Sequence, residues 1–180
     1  MDEQQIIEGC RNQDRKAQKL LYEKYSRMIY GVCLRYSGDV DSAKDLLQDG
    51  FIKIFSSIST YKGIGSFEGW VKRVFVNLAL ENIRKRKKLI QNSEDIQAIP
   101  DLREEEEERA HDISEEELMN MIKELPSGYA TVFNLYAIEE YSHKEISEML
   151  GISEGTSRSQ YVRARQALQE KVREFLKLNS

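Results

Sequence analysis

The sequence predicts an all-α protein: two small helical domains joined by a flexible acidic linker, the second carrying a helix-turn-helix. Three observations predict it. Apolar residues recur at the i, i+3, i+4, i+7 spacing of an amphipathic helix through most of the chain. Only 2 prolines occur in 180 residues, which disfavours a loop-rich β fold or a proline-rich linker. Charge and hydropathy also change abruptly, which divides the chain into residues 1–90, 91–117 and 118–180.

In the first segment Ala17, Leu20, Leu21, Tyr25, Met28, Ile29, Val32, Cys33 and Tyr36 form one helical stripe. Gly38-Asp39 breaks it, and Asp39 or Asp41 is suited to cap the next helix. Ala43, Leu46, Leu47, Phe51, Ile54 and Ile58 repeat the pattern. A loop with two glycines follows, Tyr61–Ser66, with Ser66 as the expected cap of a helix over about Phe67–Lys88. That helix has an apolar face of Trp70, Val71, Val74, Phe75 and Leu78 and a second of Val76, Leu80 and Ile83. It should therefore be sandwiched, leaving Arg73, Asn77, Glu81, Arg84 and Lys88 as its outward strip. For Trp70, core packing of the indole is the default expectation.

Residues 91–117 hold too few apolar groups to offset the entropy of ordering and contain the unbroken run Glu104–Glu108. Ser114-Glu115-Glu116-Glu117 has the spacing of a capping box. Leu118, Met121, Ile122 and Leu125 then supply an apolar face. Pro126 ends that helix, and Val132, Phe133 and Tyr136 belong to the next.

No run approaches the roughly 20 apolar residues of a membrane span, and the opening Met1-Asp2-Glu3-Gln4-Gln5 is unlike a secretory signal. Cys10 and Cys33 are too few for a disulfide framework and are expected to be buried structural thiols rather than oxidant sensors. His111 and His143 stand apart from each other and from any cysteine, which argues against structural zinc. The net charge of −4 hides a segregation: residues 1–90 carry 17 basic and 11 acidic groups, residues 91–117 carry 2 and 12, and residues 118–180 carry 8 of each. Five basic residues, Arg84 to Lys88, close the first segment, and five lie between Thr156 and Arg173 against Glu170 alone. Both clusters can neutralise phosphates.

The sharpest local pattern spans residues 142–168. Ser142-His143-Lys144-Glu145 is a second capping box, Ile146, Met149 and Leu150 form an inner face, and Gly151 stands where a tight turn needs positive φ. Ile152 plugs the turn and Ser153 caps a basic helix running to Leu168. Such a second helix suits the major groove, where arginine pairs bidentately with guanine. Ser147 and Ser157 depart from the usual alanine and aliphatic residue, but both are small enough for close helix approach.

Joined, these parts resemble an extracytoplasmic-function sigma factor of bacterial RNA polymerase. The resemblance covers nearly the whole chain. It rests on Leu21-Tyr22-Glu23-Lys24-Tyr25, Asp45-Leu46-Leu47-Gln48-Asp49-Gly50-Phe51, Phe67-Glu68-Gly69-Trp70-Val71, Val76-Asn77 and Arg84-Lys85-Arg86. It continues through Leu125-Pro126, Tyr141 to Ile146, Leu150-Gly151-Ile152, Gly155-Thr156 and Arg163-Ala164-Arg165. It implies a protein without catalytic site, metal or cofactor that binds core RNA polymerase and directs it to particular promoters. Asp45, Gln48, Asp49 and Ile52 are implied to dock on the clamp coiled coil of the largest core subunit. Tyr61, Lys62, Ser66, Phe67, Trp70, Arg73, Asn77, Arg84 and Lys88 are implied to meet the proximal promoter element and its melted non-template strand. Arg158, Ser159, Val162 and Arg163 are implied to read the distal element in duplex DNA. Gln160 is included with them, and Tyr161 is left open between that face and the interior. The family implies cytoplasmic location, no direct membrane insertion, and control by an anti-sigma factor. The acidic strap is expected to keep DNA off the free protein or, as the resemblance implies, to thread through a basic polymerase channel; on the first reading, neutralising Glu104–Glu108 should raise non-specific DNA binding by the free protein in a salt titration.

A stand-alone helix-turn-helix regulator explains residues 118–180 equally well, but not the loop at Tyr61 or the basic end at Arg84–Lys88. An enzyme acting on nucleic acid would need a metal cluster, a phosphate loop or a nucleophile–base pair, and none is legible.

Overall fold

A computed structural model describes residues 1–89 and 113–179. Their helices fall into two compact units, α1–α4 and α5–α8. The stretch read as an acidic linker, with Glu104–Glu108, lies largely outside the described residues.

The first unit is built on α2 (Arg15–Tyr36), which packs against α1 (Glu3–Arg11), α3 (Val40–Ser57) and α4 (Phe67–Leu89). Each start has a local cause. Asp2 caps α1, accepting from the Gln5 N–H while its own N–H donates to Gln5 Oε1; Asp14 caps α2, and Asp39, the first of the two candidates, caps α3 by accepting from the Ser42 N–H. The α3 pattern ends one residue early: Ile58 is buried, but in a 3₁₀ turn over Ile58–Thr60. Ser66 caps α4, its hydroxyl accepting from the Gly69 N–H at 3.0 Å. As its double apolar face predicts, α4 packs against both α2 and α3. Phe67, Val71, Phe75, Val76, Ala79 and Leu80 are buried, and Arg73, Asn77, Glu81 and Arg84 are exposed. Two close approaches set the packing. A β-carbon on Gly9 would lie 2.5 Å from that of Ala17, and one on Gly50 would lie 1.9 Å from the Phe75 ring. Cys10 and Cys33 are both buried.

In the second unit α8 (Glu154–Leu178) is the spine, touched by α5 (Glu115–Lys123), α6 (Ser127–Phe133) and α7 (His143–Leu150). Met121, Ile122 and Leu125 meet Ala164 and Leu168, with Val172 and Phe175 packed alongside. Those last two explain why α8 continues past Leu168, where the basic pattern had placed its end. The Ser114 capping box forms, so Glu115–Glu117 belong to α5 although the acidic composition had grouped them with the linker. A π-helical turn over Asn134–Ile138 extends α6 and carries Tyr136, which had been read as regular helix.

Candidate functional site

Three surfaces carry the candidate residues. On α3, Ala43, Leu46, Gly50, Phe51 and Ile54 face inward. Asp45, Gln48, Asp49 and Ile52 fall at the complementary i, i+3, i+4, i+7 positions and are all exposed, Ile52 by 67%. An aliphatic side chain so exposed beside two carboxylates and an amide makes a half-polar surface stripe. Beside it lies a cavity of about 290 Å³, with Asp45 and Asp49 on one wall and Asn82, Lys85 and Arg86 of α4 on the other. Arg86 is tied there, donating to the Tyr36 carbonyl at 3.3 Å.

The second surface is the loop between the 3₁₀ turn and α4. Gly63 and Gly65 adopt φ of +74° and +76°, a region costly for residues with a β-carbon. The Tyr61 hydroxyl donates to the Gly65 carbonyl at 2.9 Å and closes the loop on itself. Lys62 and Ser66 are exposed, although the Ser66 hydroxyl is occupied as the α4 cap. Phe67 requires a correction. Proposed from sequence as a nucleic-acid contact, it is 2% exposed and enclosed by Tyr25, Tyr61 and Trp70 at ring distances of 5.8, 5.1 and 5.5 Å. It opens α4 on the inward stripe shared with Val71 and Phe75, so its ring supports the loop from beneath. Trp70 stacks on it and is half-buried, leaving part of the indole at the surface. Ile64, at the loop tip, is 83% exposed and was missed in the sequence. Its glycine neighbours are the only signal that could have marked it.

Along α4 the exposed strip continues the surface. Glu81, its carboxyl held below the usual range chiefly by a hydrogen bond from Lys85, pairs with that lysine at 2.9 Å. Lys88 belongs to the same helix, but its side chain lies outside the described residues.

The third surface is the outer side of α8. Gly151 takes φ +67° and ends α7, and Ser153 caps α8 through the Thr156 N–H at 3.0 Å, the tight turn of a helix-turn-helix. Arg158, Ser159 and Val162 are exposed and Arg163 is half-buried. Arg158 pairs with Glu154 at 3.0 Å one turn earlier, and the Ser159 hydroxyl donates to the Thr156 carbonyl. Gln160 does not share this face. It lies on the inward stripe of Ser157, Tyr161, Ala164 and Leu168, and its buried Oε1 sits against Gly128 without a hydrogen-bond partner. Tyr161 resolves inward, against Phe133, Tyr136 and His143.

The same stripe explains the serine at position 157. It is fully buried, and its hydroxyl meets His143 Nδ1 at 2.8 Å. Tyr136 stacks on that imidazole at 4.2 Å and 11°. A hydroxyl replaces the usual aliphatic group because its partner is a polar ring across the turn. Burial, then the Arg158 charge, hold the His143 pKa below its ordinary value. Burial pushes the thiols of Cys10 and Cys33 up to about 11 and about 12, so neither is a reactive thiolate at neutral pH.

Among the described residues no three His, Cys, Asp or Glu side chains gather as a metal site, and no helix is long and apolar enough to cross a membrane.

The family model for Sigma-70 region 2 matches residues 21–89, and that for Sigma-70, region 4 matches residues 115–168. The chain is 30% identical to the ECF RNA polymerase sigma factor SigW of Bacillus subtilis, covering 94% of this chain and 96% of that one. It is 28% identical to the RNA polymerase sigma-H factor of Pseudomonas aeruginosa, over 97% and 96%. Its fold is similar to that of the sigma factor RpoE of Bartonella quintana, solved with the anti-sigma factor NepR. The TM-score is 0.57 at 19% identity, over 84% of this chain and 94% of that one.

Proposed function

The chain belongs to the ECF family of RNA polymerase sigma factors, and from that premise we propose how its three surfaces direct transcription. It is an alternative-type sigma factor: it binds core RNA polymerase in the cytoplasm and directs it to particular promoters, and it carries no reaction centre of its own. The observation that carries this reading is the pairing, in order, of region 2 over residues 21–89 with region 4 over residues 115–168. A stand-alone regulator accounts for the second match but leaves the first unexplained.

The exposed stripe Asp45, Gln48, Asp49 and Ile52 docks on the clamp coiled coil, with Ile52 as the apolar centre and the carboxylates at its rim. The Tyr61–Ser66 loop faces the melted non-template strand. Its backbone approaches closely at the two glycines, and the exposed part of Trp70 gives an unstacked base a π-face. Arg73, Asn77, Arg84 and Lys88 follow the strand's phosphates along α4. The outer face of α8 enters the major groove of the distal element, where Arg158, Ser159, Val162 and Arg163 face the bases and backbone. Gln160 is absent from this set because it lies on the inward stripe with its Oε1 buried. Each promoter contact is small, and tethering both units to one polymerase raises the effective concentration of each for its element.

An anti-sigma factor is expected to hold the protein inactive. Support for that comes from the fold shared with a sigma factor solved with such a partner. Run-off transcription from a promoter library, with core polymerase and with or without the protein, tests the reading. Promoter-specific transcripts that depend on the protein are expected. A stable DNA complex that forms without polymerase, with no transcripts, would replace it with the regulator.

A further inference from the structure

We propose that Arg11, at the end of α1, is a positioning residue for the Tyr61–Ser66 loop and so for selectivity at the melted promoter element. This rests on the reading of that loop as the surface that meets the non-template strand.

The contact joins residues 50 positions apart. Arg11 Nη2 donates to the Tyr61 carbonyl at 2.7 Å, while Nη1 lies 3.2 Å from Glu8 Oε2. The planar guanidinium thus uses one nitrogen to fix itself to its own helix and the other to hold the loop. A cation donating to a carbonyl also makes a stronger hydrogen bond than a neutral donor. Tyr61 is where the 3₁₀ turn ends, its own N–H bonded to the Ile58 carbonyl. Its phenol reaches across to the Gly65 carbonyl. Arg11 therefore holds one end of the loop and, through the Tyr61 ring, sets where the other end lies.

Packing of Tyr61 against Phe67 and Trp70 supports the base of the loop but does not reach its tip. A β-carbon built on Gly63 or Gly65 would meet nothing within 4 Å, and Ile64 between them is 83% exposed. With so few neighbours at the tip, its position rests on the hydrogen bonds that Tyr61 makes at the mouth.

The strut itself is rigid. Ile6, Ile7 and Cys10 are buried, Gly9 lies against Ala17 too closely for α1 to slide along α2, and Glu3 at the far end binds Lys24 and Tyr25. All of α1 precedes residues 21–89, the part matched to region 2, so the loop depends on a helix outside that match.

The test compares full-length wild type, Arg11→Ala and Arg11→Lys, each assembled with core RNA polymerase. Transcription is measured on a promoter recovered from the library and on versions with single-base changes in the proximal or the distal element. The wild-type ratio of original to changed promoter defines selectivity at each element. Arg11→Ala is expected to lower proximal selectivity roughly tenfold, the loss of one charged hydrogen bond. Distal selectivity and polymerase affinity should stay unchanged. Arg11→Lys, with one donor in place of a fork, should recover part of the loss.

Unchanged proximal selectivity in Arg11→Ala would overturn the proposal. So would a parallel fall in proximal selectivity, distal selectivity and polymerase affinity, which marks general unfolding. If Arg11→Ala does not fold, Arg11→Lys decides: proximal selectivity equal to wild type overturns the proposal, and a selective proximal loss supports it. A wild-type protein that yields no promoter-specific transcript overturns the sigma-factor reading itself, and this inference with it.

Discussion

Replacing Gly50 by alanine sets two effects of opposite sign against each other. In an exposed helix the change stabilises by about 1 kcal/mol, because alanine loses less backbone entropy. Gly50, however, lies on the inner face of α3 with the ring of Phe75 across it. A β-carbon would sit 1.9 Å from Cε1 and 2.4 Å from Cδ1 and Cζ, against roughly 3.5–4.0 Å for an ordinary carbon contact. Helix or ring must therefore shift by about 1.5–2 Å. The ring has little room, since Phe75 is wholly buried and set edge-on to Phe51 at 5.3 Å. Overpacking of this size costs about 3 kcal/mol, which leaves a net loss of about 2 kcal/mol after the propensity gain. For a unit of this size that lowers Tm by roughly 8–16 °C. Trp70 is the sole tryptophan and lies in the same unit, so urea denaturation followed by indole fluorescence reports on this unit. The midpoint should fall with an unchanged slope. Phe75→Leu destabilises by itself but makes room, so the double variant should lose at least about 1 kcal/mol less than the sum. A stabilised Gly50→Ala protein, or strict additivity, would refute the packing of Phe75 against α3.

Four further outcomes are expected. Ile52→Asp should weaken core polymerase binding about 30-fold, the loss of roughly 2 kcal/mol of apolar burial, while the thermal midpoint stays put; a pull-down titration measures it. Arg158→Ala should cost about 1–3 kcal/mol at the distal element and relax one base position in a promoter competition. The lowered His143 pKa means that the unfolded chain binds the proton more readily. The stabilisation is then complete above about pH 6.5 and is lost as pH falls through the folded-state value. Urea midpoints by circular dichroism should show that loss, and His143→Gln should flatten it. Cys10 and Cys33, buried with raised pKa values, should resist iodoacetamide in the native protein and react in denaturant; rapid native labelling would reopen an oxidant-sensing role.

Much of the candidate surface was legible because its determinants are periodic. Asp45, Gln48, Asp49 and Ile52 could be placed on one face of α3 since the inward stripe that includes Leu46, Phe51 and Ile54 leaves only that face free. The errors came where periodicity says nothing or points against the resemblance. Phe67 stands at a loop–helix junction, where its i, i+4, i+8 phase with Val71 and Phe75 pointed inward while the resemblance pointed to the promoter, and the aromatic cluster holds it inward. Gln160 follows two residues after Arg158, on the opposite side of α8, and only the helical phase of Ser157 and Ala164 reveals it. Ile64 carried no sequence signal beyond its two glycine neighbours, and only the structure shows it exposed at the loop tip.

Local spacing marked where α3, α5, α7 and α8 begin, while α1 and the Asp14 cap of α2 emerged only with the structure. The capping boxes at Ser114 and Ser142, the caps at Asp39 and Ser153 and the left-handed turn at Gly151 all involve residues within four positions of one another. Such local bonds form wherever the spacing is right, whatever the rest of the chain does. The tertiary structure alone decided which side chains those helices spend on each other. The part-buried Ser157–His143 bond, Phe75 over Gly50 and Arg11 on the Tyr61 carbonyl join groups 14, 25 and 50 residues apart. Contacts at that range depend on how separate helices pack, which no local pattern encodes. They settle which residues remain on the surface for polymerase and DNA.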